Sequence, residues 1–403
     1  MRRALIAGGS LGGLLAANML HCAGWDVLVL ERANATLSGR GAGIVTHPEL
    51  FDCLEVAGLT VDDKIGVPVP GRITLGRDGQ VLQESTLPQI LTAWGRLYHL
   101  LKAALPADLY RFGAGLRAFE QDDAGVAVTL ADGSQQHGDI LIGADGIRST
   151  VRQQLLPQVR PGYAGYVAWR GLADEAVLSE ATHRAIFERF AFCLPPGEQI
   201  LGYPVAGTGD NLARGHRRFN FVWYRPADEQ SQLPDLLTDE QGHRHDDGIP
   251  PQLIRADVHQ AMLRAADEVL APQFAEIVHK ATQPLVQPIY DLDSPQLAFG
   301  RVALLGDAAF VARPHCGMGV TKAAADAKSL TQALAQLPDD PVQALKTYDS
   351  QRQPIGRFLV GHARSLGAYM QAQILTSEER QMAERYRSVE AVMRETAVSP
   401  ALH

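Results

Sequence analysis

A chain of 403 residues, 46 % hydrophobic and 20 % charged, is long enough to bury an elaborate core and too apolar to stay disordered. Its formal net charge of -8 excludes the broadly basic surface that a nucleic acid or an anionic membrane would require. Cys22, Cys53, Cys193 and Cys316 form no C-x-x-C pair and no ligand spacing, which argues against a disulfide scaffold and suits a reducing cytoplasm.

Met1-Arg2-Arg3 and the apolar stretch that runs to Cys22 imitate an export or lipoprotein signal. Gly8, Gly9, Gly12 and Gly13 interrupt that stretch, no A-x-A site follows, and the pattern continues into another strand, so it reads as the start of the fold. No later apolar run is long enough to span a bilayer, and no membrane partner is expected.

Residues 3–8 read as a short apolar strand, residues 11–23 as a helix closed by Gly24, and WDVLVLER (25–32) as a strand covered on both faces. Together they make a parallel βαβ unit. The connecting LIAGGSLGGLLAA (5–17) fits two templates. Gly8-x-Ser10-x-Gly12 matches a nucleophile elbow, and Gly8 to Gly13 matches a dinucleotide loop with Ser10 in place of the second glycine.

What surrounds the loop favours the dinucleotide template. Ala17 is small on the face turned to the sheet, and Glu31 ends the second strand where a ribose-binding carboxylate belongs. The elbow lacks its glycine-rich oxyanion partner loop.

Further along, GVAVTLADGSQQHGDILIGADG (125–146) gives two alternating strands with a turn at Asp132-Gly133, then a buried strand at 140–143. Residues 165–225 alternate in the antiparallel manner through FAFCL, ILGYPV and FNFVWY. A polar loop covers 238–252. Its HRHDD (243–247) lacks ligand spacing, and no metal site is expected there. Residues 256–281 look helical, GRVALLGDAAF (300–310) returns to a buried strand, and 318–395 is helical in pattern. Within it, residues 376–395 form an amphipathic helix with Thr376 or Ser377 as cap, suited to pack on its own chain or on a second subunit, as in a homodimer.

The glycine loop, ILIGADGIRSTVRQQL (140–155) and GRVALLGDAAFVARPHCGMGVTKAAADA (300–327) together resemble the three fingerprints of the single-component FAD-dependent aromatic hydroxylases, the para-hydroxybenzoate hydroxylase-like class. The resemblance implies an α/β fold: a Rossmann-like FAD-binding domain (1–160 and 290–403, with the C-terminal helices) and an inserted antiparallel β-sheet substrate domain (161–289). No second glycine fingerprint follows another strand, so NADH or NADPH would bind transiently, without a Rossmann domain of its own.

FAD contacts are implied at Gly8, Ser10, Leu11 and Gly13 of the loop, at Glu31 and Arg32, and at Arg40, Gly43 and Ile44 in LSGRGAGIV (37–45). The second fingerprint adds Asp145 and Arg148. The third adds Gly306 and Asp307, then Pro314, Gly317, Met318 and Gly319 at a helix start whose free N–H groups suit a reduced flavin. Trp94 stands where many members carry arginine, and Arg96, two residues on, is the nearest substitute. Phe310 and Thr321 replace a histidine and an asparagine common in relatives.

Within the class, LSGRGAGIV, YAGYVAWRG (163–171), FNFVWY (219–224) and RPH (313–315) resemble the branch that hydroxylates hydroxypyridine-type N-heterocycles. The implied reaction uses NAD(P)H and O2 through a flavin C4a-hydroperoxide that attacks a small, electron-rich hydroxylated aromatic ring. His315, His47 and Tyr203 are the candidates for ionising the substrate, and Phe192, Phe221 and Trp223 for walling its pocket. An epoxidase or isoprenoid reductase on the same fold, and a non-catalytic flavin-binding regulator, are the alternatives.

Overall fold

A computed structural model describes residues 2–37, 43–246 and 248–400. The strand Arg3–Ala7 is buried along its last four residues, the pattern of a strand paired on both edges and covered on both faces. It lies inside a six-stranded sheet ordered Ala298–Phe299, Val302–Leu304, Ile140–Gly143, Arg3–Ala7, Asp26–Leu30, Tyr110–Arg111. Every pairing is parallel except that of the Ala298–Phe299 edge. The helices Leu11–Cys22 and Gly319–Gln336 pack together and share this sheet's core through Leu14, Ala17, Ala324 and Ala327.

Register makes the carboxyl ends level. Ala7 pairs with both Leu30 and Gly143, and Gly143 pairs with Leu304. The three fingerprints, far apart in sequence, therefore leave the sheet side by side at the edge where ligands bind in open parallel sheets.

The second sheet has nine strands, ordered Phe310–Val311, Thr282–Asp293, Gly162–Asp174, Arg218–Pro226, Gln199–Val205, Phe190–Cys193, Val67–Leu75, Val81–Ala93, Gly43–Val45. It is antiparallel apart from the parallel pairing of Phe190–Cys193 with Val67–Leu75. Successive side chains leave a strand on opposite faces. One face packs on the helices Ala256–Val269 and Pro272–Lys280 through Trp169, Phe219, Phe221 and Trp223. The other carries Tyr166, Phe190, Phe192, Tyr203 and Tyr224.

Several expectations change here. Strands from residues 43–93 share this sheet with strands from 162–293, so a boundary at residue 160 divides the sequence but not the sheet. The helix expected over 256–281 is two, because Leu270 and Ala271 leave the helix and Pro272 opens the next. The C-terminal helix is also two, Ser377–Tyr386 and Val389–Glu395. The first starts with a Thr376–Glu379 capping box, and the second with Ser388 Oγ accepting from Ala391 N. Residues 116–138 form a separate three-stranded antiparallel sheet. Among the described residues no helix is long and apolar enough to cross a membrane.

Candidate active site

The glycine loop is shaped by close approach. Gly8 has φ +99, and a Cβ on it would stand 2.4 Å from Ala144 O. A Cβ on Gly13 would stand 1.9 Å from Gly8 O. Only hydrogen fits at either position.

The loop is also tied from both sides. Gly9 N donates to Glu31 Oε2 (2.8 Å), Tyr110 Oη donates to Gly9 O (2.9 Å), and Ala33 N donates to Glu31 Oε1 (2.8 Å). Ser10 is the N-cap of the helix Leu11–Cys22 but its side chain makes no capping bond, which leaves the first-turn N–H groups as anion donors.

These residues border a cleft of about 340 Å³ that gathers Gly8, Ser10, Glu31, Arg32, Asp145 and Arg148, with Trp94 on its wall. Asp145 Oδ2 accepts from Thr150 N (2.7 Å) and Val151 N (3.3 Å), while Oδ1 is buried without a partner among the described residues. Burial raises the Asp145 carboxyl, and the bonds from Ser149 and from the backbone oppose it. An orphaned acceptor in a polar cleft calls for a donor from outside the chain. Arg152, also buried, donates to Ala308 O (3.0 Å) and so joins the second fingerprint to the third.

Not every implied cofactor residue lies in this cleft. Arg96 donates instead to Lys64 O (2.7 Å) and Asp210 O (3.1 Å), carbonyls on the side of the larger sheet, so it is spoken for. Leu11 is buried in the core of the parallel sheet. Arg40 falls outside the described residues.

In the third fingerprint, Gly306 N donates to Asp326 Oδ2 (3.2 Å), and Asp326 also pairs with Arg352 Nε (2.8 Å) and Lys322 Nζ (3.8 Å). Asp307 is exposed, yet desolvation by the surrounding protein raises its carboxyl while Lys322 lowers it. Pro314–Cys316 forms a tight turn ending at Gly317 (φ +67), and Met318 then caps the helix Gly319–Gln336 without a side-chain bond.

The polar groups expected to serve a substrate lie on the larger sheet's face turned from the helix pair. His315 is 1 % exposed, its Nε2 2.8 Å from Tyr166 Oη and its ring 4.2 Å from that of Tyr224. Burial, aided by Arg313 and Arg170, lowers its pKa to about 3, and its Nδ1 has no partner among the described residues. His47 Nδ1 is 3.1 Å from Thr321 Oγ1, and burial lowers its pKa to about 4 against the opposing effects of Glu49 and the Ala397 carbonyl. Among the described residues its Nε2 meets no partner at hydrogen-bonding geometry. Both rings are neutral at pH 7.

Tyr203 packs where a Cβ on Gly43 would come within 2.4 Å of its ring, and Gly43 N donates to Asn220 Oδ1 (2.9 Å). The next strand residue, Ile44, is buried in the parallel-sheet core. Asn220 Nδ2 is a further buried donor without a partner among the described residues.

Of the three aromatic wall candidates, Phe192 alone is on this face. Phe221 and Trp223 alternate to the other side, against the helix pair, so they are core and not pocket wall. Sequence reading missed Asn220, Tyr166, Arg170 and Arg72. A lone polar residue within an apolar strand, as in FNFVWY and VPVPGRITL, was the available signal. Glu175, His183 and Glu188 also converge, but Arg217 already bonds both carboxylates.

A protein-family profile described as "FAD binding domain-like" matches residues 163–291. The chain is 33 % identical over 347 residues to 2,6-dihydroxypyridine 3-monooxygenase of Paenarthrobacter nicotinovorans, covering 84 % of each. The solved structure of 2,6-dihydroxypyridine-3-hydroxylase from Arthrobacter nicotinovorans superposes with a TM-score of 0.86 at 29 % identity, over 92 % of this chain and 93 % of that one. Klebsiella pneumoniae HpxO, solved with FAD and uric acid, gives a TM-score of 0.78 at 25 % identity over 98 % and 93 %.

Proposed function

The chain belongs to the FAD-dependent aromatic hydroxylases, and from that premise we propose that its substrate is a small hydroxylated N-heterocycle of the hydroxypyridine type, hydroxylated at the expense of NAD(P)H and O2. The observation that carries this reading is the meeting of three fingerprints at one sheet edge together with two buried, neutral histidines next to the third: His315 within it, against Tyr166 and Tyr224, and His47 on Thr321. Bound FAD, reduced by NAD(P)H, supplies the activation of O2.

The residues present fit FAD. The cradle of Gly8 and Gly13 and the uncapped helix behind Ser10 would take the pyrophosphate. Each Glu31 oxygen retains a lone pair for a ribose hydroxyl after its one backbone bond. Arg32, Asp145 and Arg148 border the same cleft, and the open carboxylate of Asp307 suits a polyol chain. The helix start at Met318 and Gly319, after Pro314 and Gly317, would face negative charge on the reduced ring. Arg96 is left out of this assignment.

On the substrate side, Asn220 Nδ2 offers a hydrogen bond to a ring acceptor, while His315 or His47 takes the proton of a ring hydroxyl. Ionising that hydroxyl enriches the ring in electrons. The NAD(P)H-consuming chemistry and four free cysteines support a cytoplasmic location, and a homodimer would have to use the outer faces of Ser377–Tyr386 and Val389–Glu395, whose apolar residues are buried on their own chain.

The test is oxidation of NADH and NADPH by the FAD-loaded protein with 2,6-dihydroxypyridine, 6-hydroxynicotinate, 4-hydroxybenzoate or salicylate. Strong stimulation by a hydroxypyridine, with a hydroxylated product, is expected. Stimulation by the carbocyclic acids alone would overturn the substrate class.

His315→Ala is expected to lower kcat by about a hundredfold, the usual scale of a lost general base. The ring stays neutral down to about pH 3, so lowering the pH from 7 to 5 leaves this part of the rate unchanged. Stability has the other sign. The unfolded ring takes up a proton near 6.5 and the folded ring only near 3, so stability drops as the pH falls below 6.5. Unchanged turnover and pH profile in His315→Ala would remove it from the mechanism.

A further inference from the structure

Arg72, on the strand Val67–Leu75, is completely buried beside the stacked rings of Phe190 (5.0 Å) and Phe192 (5.9 Å). Among the described residues no carboxylate pairs with it. Its five N–H groups make five bonds instead. Nε (3.0 Å) and Nη2 (2.7 Å) donate to Gln89 Oε1, Nη1 to the carbonyls of Met393 (3.2 Å) and Thr396 (2.6 Å), and Nη2 to that of Ala397 (2.9 Å). Gln89 Nε2 adds a second bond to Ala397 O (3.2 Å).

The chain thus ends the helix Val389–Glu395 by delivering its free carbonyls to a buried cation, an arrangement that peptide dipoles favour. Without these carbonyls the buried guanidinium would keep only Gln89 Oε1 as a partner beside two phenyl rings. The strap and Arg72 hold each other in place.

The same strap reaches both candidate proton acceptors. Ala397 N donates to His315 O (2.7 Å), and the Ala397 carbonyl raises the pKa of His47. A Cβ on Gly317 would come within 3.1 Å of Ala397 Cα and 3.4 Å of His47 Cε1. Ala397 itself is held at φ +54, a conformation that a non-glycine residue keeps only when its surroundings impose it. Val392, Met393 and Ala397 share the buried cluster of Phe190, Phe192, Tyr203 and Tyr224.

We propose that Arg72 is a positioning residue for the hydroxylation: through residues 393–397 it fixes the loop of His315 and the ring of His47 and seals the substrate side from water. The inference rests on the hydroxylase reading above. A loosened strap would admit water and favour the leak NAD(P)H + H⁺ + O2 → NAD(P)⁺ + H2O2 over transfer of oxygen to the ring.

The experiment uses full-length, FAD-loaded Arg72→Gln and Ala397→Pro. The second removes the strap's N–H and forbids its φ while leaving Arg72 intact. Both variants should raise H2O2 released per NAD(P)H and increase the substrate KM by about tenfold, with kcat changing less, and the double variant should go no further than either single. Hydrogen exchange of residues 392–397, measured without any substrate, should speed up in both. That readout stands even if the ring is misidentified, so failure of the substrate class and failure of this proposal can be told apart. Two results overturn it: both variants exchanging and coupling like the parent enzyme, or Arg72→Gln uncoupling while Ala397→Pro does not, which would place Arg72's action directly on the substrate.

Discussion

Gly13→Ala protein is expected to purify colourless. The added methyl would stand 1.9 Å from Gly8 O, and both atoms belong to backbone, one in the helix and one in the loop it must face. Rotamer change cannot relieve such a contact. The helix Leu11–Cys22 has to move off the strand Arg3–Ala7, and its first-turn N–H groups move with it. Overpacking of this kind costs about 1–3 kcal/mol or more, and a loss of about 3 kcal/mol corresponds to roughly a hundredfold in FAD affinity. Gly12→Ala is the control, because its methyl would meet only side-chain atoms, Leu305 Cδ2 at 3.3 Å and Ala323 Cβ at 3.6 Å. Flavin absorbance per chain and thermal unfolding read the result. Gly13→Ala protein with full flavin content and parental stability would show that the loop is not the cradle described.

Asp326→Ala should cost still more stability. Its carboxylate is the shared acceptor for Arg352 and for Gly306 N and the nearest anion to Lys322, and the side chains of Asp326, Arg352 and Lys322 are all buried. Lys322 Nζ, 3.8 Å away, makes no hydrogen bond among the described residues. Removing the anion leaves two buried cations uncompensated, a change that typically costs about 3–5 kcal/mol. It also frees the turn that carries Asp307, so FAD affinity should fall in step. Replacing Asp326, Lys322 and Arg352 together by Leu, Met and Met should recover much of the stability, since a buried ionic cluster is often no better than apolar packing of equal volume. Denaturant unfolding measures both variants, and a loss below about 1 kcal/mol in Asp326→Ala would mean that water already screens the cluster.

The parts of the site that were legible in the sequence are those fixed by local sterics. Gly8 and Gly13 stand where a Cβ cannot, Glu31 sits one residue beyond its strand, and the apolar run at residues 25–32 marks a strand buried on both faces. Such constraints act over a few residues, so spacing alone exposes them.

The faces of the larger sheet were not legible in this way. FNFVWY alternates, but alternation says only that Phe221 and Asn220 point oppositely. Which of them meets the substrate depends on where the helices 256–280 dock, and they take the side of Phe221 and Trp223. Sequence reading therefore placed two core aromatics in the pocket and passed over the asparagine beside them. Arg96 was unreadable for a related reason, because its acceptors, the carbonyls of Lys64 and Asp210, lie far from it in the sequence.

By itself, then, the sequence determined the βαβ unit, the glycine cradle and the three fingerprints, because each is a matter of backbone sterics or short-range period. Only the tertiary structure decided that strands from 43–93 complete the larger sheet, that Asn220 and not Phe221 faces inward, and that Arg72 binds a strap more than three hundred residues away. Strand pairing and the coordination of a buried cation join residues whose separation along the chain leaves no periodic trace, and the choice of face is made by whichever layer buries more apolar surface against it.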